Sequence, residues 1–444
     1  MNTKSSLRKE SQNKITKISE RLKTKDINKI AKISGFRKRK SGKIDARGLV
    51  IGFMLMMSKK KNTYDSWSQA VSVLANKVIS RQAIEERMNE ETGLMTKMLL
   101  ENELKKNIET RSSLNNDKVL GLFNSIMIED STTLRLPEEL SNIFPGNVSK
   151  GKKRSLAKIH AMFNYCKNDF EFMDTHSFAE NDQSLSPRVL SSLKRGDLLL
   201  RDMGFLVLDV LKNLDEKGIY FISRKASKIN VYNVATGNEI NLVKTLRKTG
   251  FFDDVVFVGK KSMIKTRLVI IKIPQEQAAE RRRKARKDRD QRLNHNKDYY
   301  ELLGYSIFIT NIATDQCTPE RIKKLYGLRW QIEIIFKSWK SCFSMENLIP
   351  AKCKNPERIH CTINLILLFI LLFHVVWINN HKHCGRNNTQ ISLLKMARFF
   401  IENFQLILYH LNEEIINDLI QSKCKYDKRF DRLNLSQKYE NIAA

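Results

Sequence analysis

Residues 326–340 read YGLRWQIEIIFKSWK. The stretch is mostly large and apolar, yet it carries one acid, Glu333, among Tyr326, Arg329, Lys337 and Lys340. Thr318-Pro319-Glu320 predicts where its helix opens, with Thr as N-cap and Pro at the first helical position. Each residue of an α-helix turns about 100°, so relative to Tyr326 the spacing puts Arg329 at about −60°, Glu333 at about −20°, Lys337 at about +20° and Lys340 at about −40°. The five polar residues then share one narrow face. Leu328, Ile332, Ile335 and Trp339 occupy the opposite side, where a sheet can receive them. Salt bridges from Glu333 to Arg329 and Lys337 account for such a row on their own. Two acids upstream give it another use.

From about residue 120 the chain alternates strand and helix patterns. SIMIEDSTTLRLP (125–137) is an apolar run that ends in Asp130 and then turn-forming residues. AKIHAMFNYC (157–166) and FEFMDTHSF (171–179) alternate as strands do. Ser186-Pro187 supplies an N-cap and first position for a helix through about Leu193. DLLLRDMGF (197–205) reads as a buried strand finishing at Asp202, followed by a helix (206–216) and the strand YFISR (220–224). That alternation predicts an α/β layered domain with a mixed sheet. Acids at the ends of buried strands are costly unless paired or metal-bound. With Glu333 as a third carboxylate, Asp130 and Asp202 form an all-oxygen set of the kind hard cations such as Mg²⁺ prefer. Two such ions about 3.5–4 Å apart activate a nucleophile and steady a departing oxygen. Arg329 and Lys340 then suit phosphate oxygens, and Tyr326 a phosphate, sugar or base.

Tyr326-x2-Arg329-x3-Glu333-x6-Lys340 resembles the Y-R-E-K signature of DDE-type bacterial insertion-sequence transposases, specifically the insertion-sequence-four group. RWQIEIIFKSWK, DST (130–132), RDMGF (201–205), YFISR and the Arg-rich segment before ELLGYSIFITNI look like that group too, so the resemblance covers roughly 120–345. It implies an RNase H-like catalytic core interrupted by a β-rich insertion between the second Asp and the Glu. It implies Asp130, Asp202 and Glu333 as catalytic and metal-binding residues for two Mg²⁺ (or Mn²⁺) ions. Tyr326, Arg329 and Lys340, with Lys337 beside them, become contacts to the transposon end. The implied activity is a DNA transposase that binds terminal inverted repeats, frees a 3′-hydroxyl by metal-dependent hydrolysis and joins it to target DNA, as a homodimer in the DNA complex. The alternatives are a transposase-derived DNA-binding protein and a structure-specific nuclease without strand transfer. One departure is that the tryptophans are Trp67, Trp330, Trp339 and Trp377, so the insertion has none.

The rest of the chain fits a polyanionic partner. Its 444 residues carry a formal net charge of +31, from 79 Lys and Arg against 48 Asp and Glu, which favours nucleic acid over an anionic membrane. Residues 1–115 read as a helical DNA-binding domain. Within them SWSQAVSVLANKVISRQAIEERMN (66–89) suits two helices joined by a turn, the second capped by Ser80 and offering Arg81, Gln82 and Arg87 to DNA, with FRKRKSGK (36–43) nearby. The core then divides into 116–224 and 299–380 around a β-rich insertion, 225–298, built on runs such as INVYNV and RLVIIKIP. EQAAERRRKARKDRDQRLNHNK (276–297) predicts a helix polar all round, in which Arg281, Arg282 and Arg283 favour phosphate contact. YYELLGYSIFITNI (299–312) predicts a return to strand, and 381–444 a helical C-terminal region packed on the core. TINLILLFILLFHVVWI (362–378), interrupted by Asn364 and His374, reads as a buried core helix rather than a membrane span. Seven cysteines without a C-x-x-C pair suit a reducing compartment, and MNTKSSLRKESQNK lacks a signal peptide's apolar stretch, so a soluble, cytoplasmic protein with no membrane partner is expected. The spacing of His360, Cys361, His381, His383 and Cys384 fits no standard zinc pattern.

Overall fold

Successive residues of a strand face opposite sides of its sheet, and here each side meets its own core. In the computed structural model, Ile126 and Ile128 of strand β1 (Ile126–Leu136) join the larger apolar cluster while Met127 joins the smaller. Leu198 and Leu200 of β5 (Leu198–Arg201) likewise part from Leu199, and Ile222 of β6 (Tyr220–Arg224) from Phe221. The sheet is therefore covered on both faces. The structure describes residues 18–38, 44–112, 122–149, 151–225, 229–287, 296–385 and 391–426.

Among the described residues, ten strands form one sheet. β1 pairs parallel to β5 and β5 parallel to β6. On its other edge β1 pairs antiparallel to β3 (Lys152–Asn164), which also holds β2 (Pro145–Ser149) and β4 (Asp169–Ser177). The order β4-β3-β1-β5-β6, with β1, β5 and β6 parallel, is that of an RNase H-like core. The fold is thus a mixed α/β sheet with helical regions before and after it.

The strands of 225–298, expected as a β-rich insertion, pair onto the sheet of the layered core. β7 (Val231–Asn233), β8 (Phe252–Val258) and β9 (Ile264–Lys272) pair in series, and β9 pairs with β10 (Tyr305–Thr310), which pairs with β6. The sheet simply continues through them. The reason is visible in RLVIIKIP: Val269 faces the larger cluster while Leu268 and Ile270 face the smaller, so this strand has apolar partners on both sides.

Other local differences have local causes. Strand β1 does not stop at Asp130. It runs on to Leu136 because β3 keeps pairing with it, through Asp130↔Ala161 to Leu136↔Ser155. Ser186 does not cap a helix. Asn181 caps Asp182–Leu185, accepting from the Ser184 N–H, and residues 186–191 continue from it as a 3-10 turn. Residues 297–302 form a helix capped by Asn296 rather than the start of β10. In the N-terminal region Ser80 does cap, accepting from the Ala83 N–H, but its helix is only Arg81–Glu85. Residues 39–43 of the basic run FRKRKSGK lie outside the described residues.

The helix Pro356–Gly385 is long and apolar enough to cross a membrane, yet 94% of its apolar window is buried inside the protein. Asn364 is accommodated because its amide donates to the Gly93 carbonyl and to Thr96 Oγ1 on the neighbouring helix Glu90–Ser112. The C-terminal helices pack on it through Phe400 and Phe404, the latter edge-on to Phe369 at 4.7 Å.

Candidate active site

The ladder between β1 and β5 runs from Ile126↔Leu198 to Glu129↔Arg201. One residue further on stand Asp130, still within β1, and Asp202, just past the end of β5. Alternation sends this pair to the face opposite Glu129 and Arg201. It is the face on which the helix Trp330–Ser341 packs, through fully buried Ile332 and Trp339. Glu333 lies on the exposed flank of that helix.

The result is one cleft of about 640 Å³. Asp130, Asp202 and Glu333 all line it, together with Arg329, Lys337 and Lys340. Arg329 bridges two of the acids: Nη1 donates to Asp130 Oδ2 at 2.8 Å, and Nη2 donates to Glu333 Oε1. The Ser131 N–H donates to Asp130 Oδ1 at 2.8 Å. Burial nevertheless pushes the Asp130 carboxyl up to about 6, against the pull of Arg329 and the Ser131 N–H. Although burial works the other way on Arg329, Tyr326 and the three carboxylates hold its guanidinium above its ordinary value.

Tyr326 departs from the expected single face. The helix Pro319–Gly327 ends before Trp330–Ser341 begins, and between them the N–H groups of Leu328, Arg329, Gln331 and Ile332 bond three residues back, to Leu325, Tyr326, Leu328 and Arg329. A 3-10 turn advances about 120° per residue instead of about 100°, which rotates Tyr326 out of the row. Its ring lies 5.1 Å from Phe308 and beneath Arg329, and its hydroxyl is buried with no hydrogen-bond partner. Burial raises that phenol above its ordinary value.

The other sequence-predicted contacts lie away from the cleft. Arg281 donates to the Tyr305 carbonyl and Arg282 to the Tyr300 carbonyl, so both tie the helix Gln275–Arg286 to the body, while Arg283 is exposed. Arg81 is exposed beside Gln82, whereas Arg87 donates to the Phe36 carbonyl and lies 5.0 Å from that ring. Among the described residues no group of three His, Cys, Asp or Glu side chains is drawn together closely enough to hold a metal. His381, His383 and Cys384 lie outside the described side chains.

Sequence reasoning missed the residues behind the cleft. Glu129, His160 and Arg201 are fully buried on the far face, with Arg201 Nε donating to Glu129 Oε2 at 2.8 Å and His160 Nε2 3.0 Å from Oε1. Beside them Lys158 donates to Asp182 Oδ1 at 2.8 Å, and Ser131 Oγ donates to the same oxygen at 3.0 Å. A signal was present. Glu129 and Arg201 are opposite charges inside two apolar runs, each directly before an Asp, and buried charges must find partners.

Fold and cleft together define a class: an RNase H-like core that presents three carboxylates and three cations at the edge of its sheet. The chain belongs to the transposase DDE domain family, which matches residues 121–372. It is 28% identical over 315 residues to the transposase for insertion sequence element IS231F of Bacillus thuringiensis subsp. israelensis, a match covering 66% of this chain and 65% of that one, just under two thirds of its length. It is 26% identical over 438 residues to the transposase for IS1151 of Clostridium perfringens, covering 93% and 91%. Among solved structures, the piggyBac transposase synaptic complex with hairpin DNA overlaps 94% of this chain and 85% of its own at 11% identity and a TM-score of 0.43.

Proposed function

We propose that this chain is a DNA transposase of the insertion-sequence-four group, with Tyr326, Arg329, Glu333 and Lys340 as its Y-R-E-K signature. It would cut at the terminal inverted repeats of its element and join the freed 3′-hydroxyl to target DNA, as a homodimer in the cytoplasm. The observation that carries this reading is that Asp130, Asp202 and Glu333 line one cleft, with each aspartate directly following the last residue paired in the β1–β5 ladder.

In chemical kind the donor set fits divalent ions, although as the side chains stand they are not drawn together around one point. Three carboxylates offer only hard oxygens, and partial burial raises the Asp130 carboxyl despite the Arg329 guanidinium beside it. Asp130, Asp202 and Glu333 would hold Mg²⁺ or Mn²⁺, which when bound supplies activation of the attacking oxygen and stabilisation of the departing one. Arg329 meanwhile neutralises Asp130 and Glu333, keeping the acids from repelling one another. Lys337 and Lys340, exposed on the cleft rim, suit phosphate oxygens of a bound strand as point charges. Cleavage and joining of DNA carrying the element's own ends, with Mg²⁺ or Mn²⁺ present, tests the reading. Cutting without joined products would make the protein a nuclease, and binding without cutting a DNA-binding protein.

Two further results are expected. Below pH about 6 a proton competes for Asp130, so the concentration of Mn²⁺ needed for half-saturation rises about tenfold per pH unit; calorimetric titration between pH 5 and 7.5 checks this, and a flat profile excludes Asp130 as a ligand. On the DNA side, Arg283→Glu lowers the slope of log affinity against log salt by about 0.9 for each phosphate the helix no longer neutralises. Anisotropy titrations at several salt concentrations measure it, and an unchanged slope leaves the Gln275–Arg286 helix with no phosphate contact through Arg283.

A further inference from the structure

The parallel ladder stops at Glu129↔Arg201, one residue short of the two aspartates. Backbone pairing between β1 and β5 therefore does not set the level of Asp130 against Asp202. After Asp202 the chain turns at once, through the 3-10 residues Met203–Phe205. What holds that turn lies on the opposite face of the sheet.

Arg201, immediately before Asp202, forks onto Glu129, immediately before Asp130: Nε and Nη2 both donate to Glu129 Oε2, at 2.8 and 2.5 Å. Phe205, at the far end of the turn, lies nearly parallel to His160 at 5.3 Å and 5.8 Å from the Arg201 guanidinium. His160 is in turn 3.0 Å from Glu129 Oε1. Ser186 closes the ring, its carbonyl accepting from Arg201 Nη2 at 3.3 Å and its hydroxyl donating to the Phe205 carbonyl at 2.9 Å. Both flanks of Asp202 are thus fastened to the residue that precedes Asp130. Glu129, His160, Ser186 and Arg201 are each fully buried.

We infer that Glu129, Arg201, His160 and Ser186 form a clasp of positioning residues that sets the level of Asp202 against Asp130 where the ladder no longer does. This rests on the metal-binding reading above. A buried ion pair is weak evidence for stability, since apolar residues of similar volume often replace one at no cost. Two guanidinium bonds converging on Glu129 Oε2, with His160 at Oε1, do, however, fix direction as well as distance. The clasp is therefore a device for geometry more than for stability, which separates it from an ordinary core.

The test is a Mn²⁺ titration of the full chain without DNA, following free Mn²⁺ by electron paramagnetic resonance, with melting temperatures alongside. Wild type binds, and Asp130→Asn marks the signal that belongs to this cleft by removing it. The double variant E129M/R201M is expected to melt close to wild type yet need at least tenfold more Mn²⁺. R201K, which keeps the buried charge but not the fork, weakens binding in the same direction and decides the matter should the double variant not fold. Phe404→Leu, in the C-terminal helices, is the control: it lowers melting while leaving Mn²⁺ affinity unchanged. Wild-type affinity in a folded clasp variant overturns the inference, as does an equal loss in the control. Absence of any Mn²⁺ signal that Asp130→Asn removes would instead defeat the metal-binding reading, and the clasp with it.

Discussion

Asp130→Asn, Asp202→Asn and Glu333→Gln are each expected to lower cleavage of end-bearing DNA by on the order of a thousandfold or more, while DNA binding stays within a few-fold of wild type. Each change keeps shape and removes the negative charge that a divalent ion needs. The cations Lys337 and Lys340, which would carry phosphate contact, are untouched. Asp130→Asn carries a second expectation. Its carboxyl is pushed up to about 6 by burial, above the ordinary 3.8. The native state therefore binds that proton more tightly than the unfolded chain does. The resulting stability is fully present below pH about 4 and is lost as pH rises through about 6. At neutral pH the ionised group costs the metal-free protein roughly 2–3 kcal/mol, since each unit is worth about 1.4 kcal/mol. Asn, which needs no ionisation, should thus raise the melting temperature at pH 7.5 as it abolishes cleavage. Cleavage at a normal rate would remove the substituted residue from the catalytic role, and an unstabilised Asp130→Asn would mean that this carboxylate carries no strain in the metal-free state.

Trp339→Ala is expected to have the largest effect on stability, about 3–5 kcal/mol. The indole is fully buried on the sheet-facing side of the helix that carries Glu333. It packs 5.5 Å from Phe170 of β4 and 4.9 Å from Phe336. Removing it opens a cavity under one strand and loosens the helix whose other flank lines the cleft. Cleavage should fall with stability. Trp339→Phe is the informative companion. The indole N–H has no hydrogen-bond partner, so its loss leaves no acceptor unpaired, and only the packing of one ring is given up. Urea denaturation of both variants measures the difference. An alanine variant as stable as wild type would show that the helix is held by something other than its apolar back.

How much of this is legible in the chain beforehand depends on the range of the interaction. YFISR is strand β6 at its full length, and the run before Arg201 is β5, because buried strands declare themselves in apolar, alternating residues. The three acids are legible for the same reason, as charges out of place in apolar surroundings. Asp130 reads as a strand end and is not one, since the residues after it, Ser131, Thr132 and Thr133, are as good in turns as in strands. Only β3, pairing with them from some thirty residues away, keeps them extended. Tyr326 falls on the polar row only if helical advance is uniform. A tightened turn after Gly327 sends it inward instead.

Local pattern alone determined strands β5 and β6, the helix start at Thr318 and the burial of 362–378, and it singled out the three carboxylates as candidates, because each depends on residues within a turn or a pleat of one another. Tertiary structure decided that β7, β8 and β9 extend the core sheet, that Arg329 spans Asp130 and Glu333, and that Glu129 and Arg201 meet behind the aspartates. Those outcomes depend on which strand edges lie next to which, and side chains 72 positions apart along the chain become neighbours only when a parallel ladder brings them level.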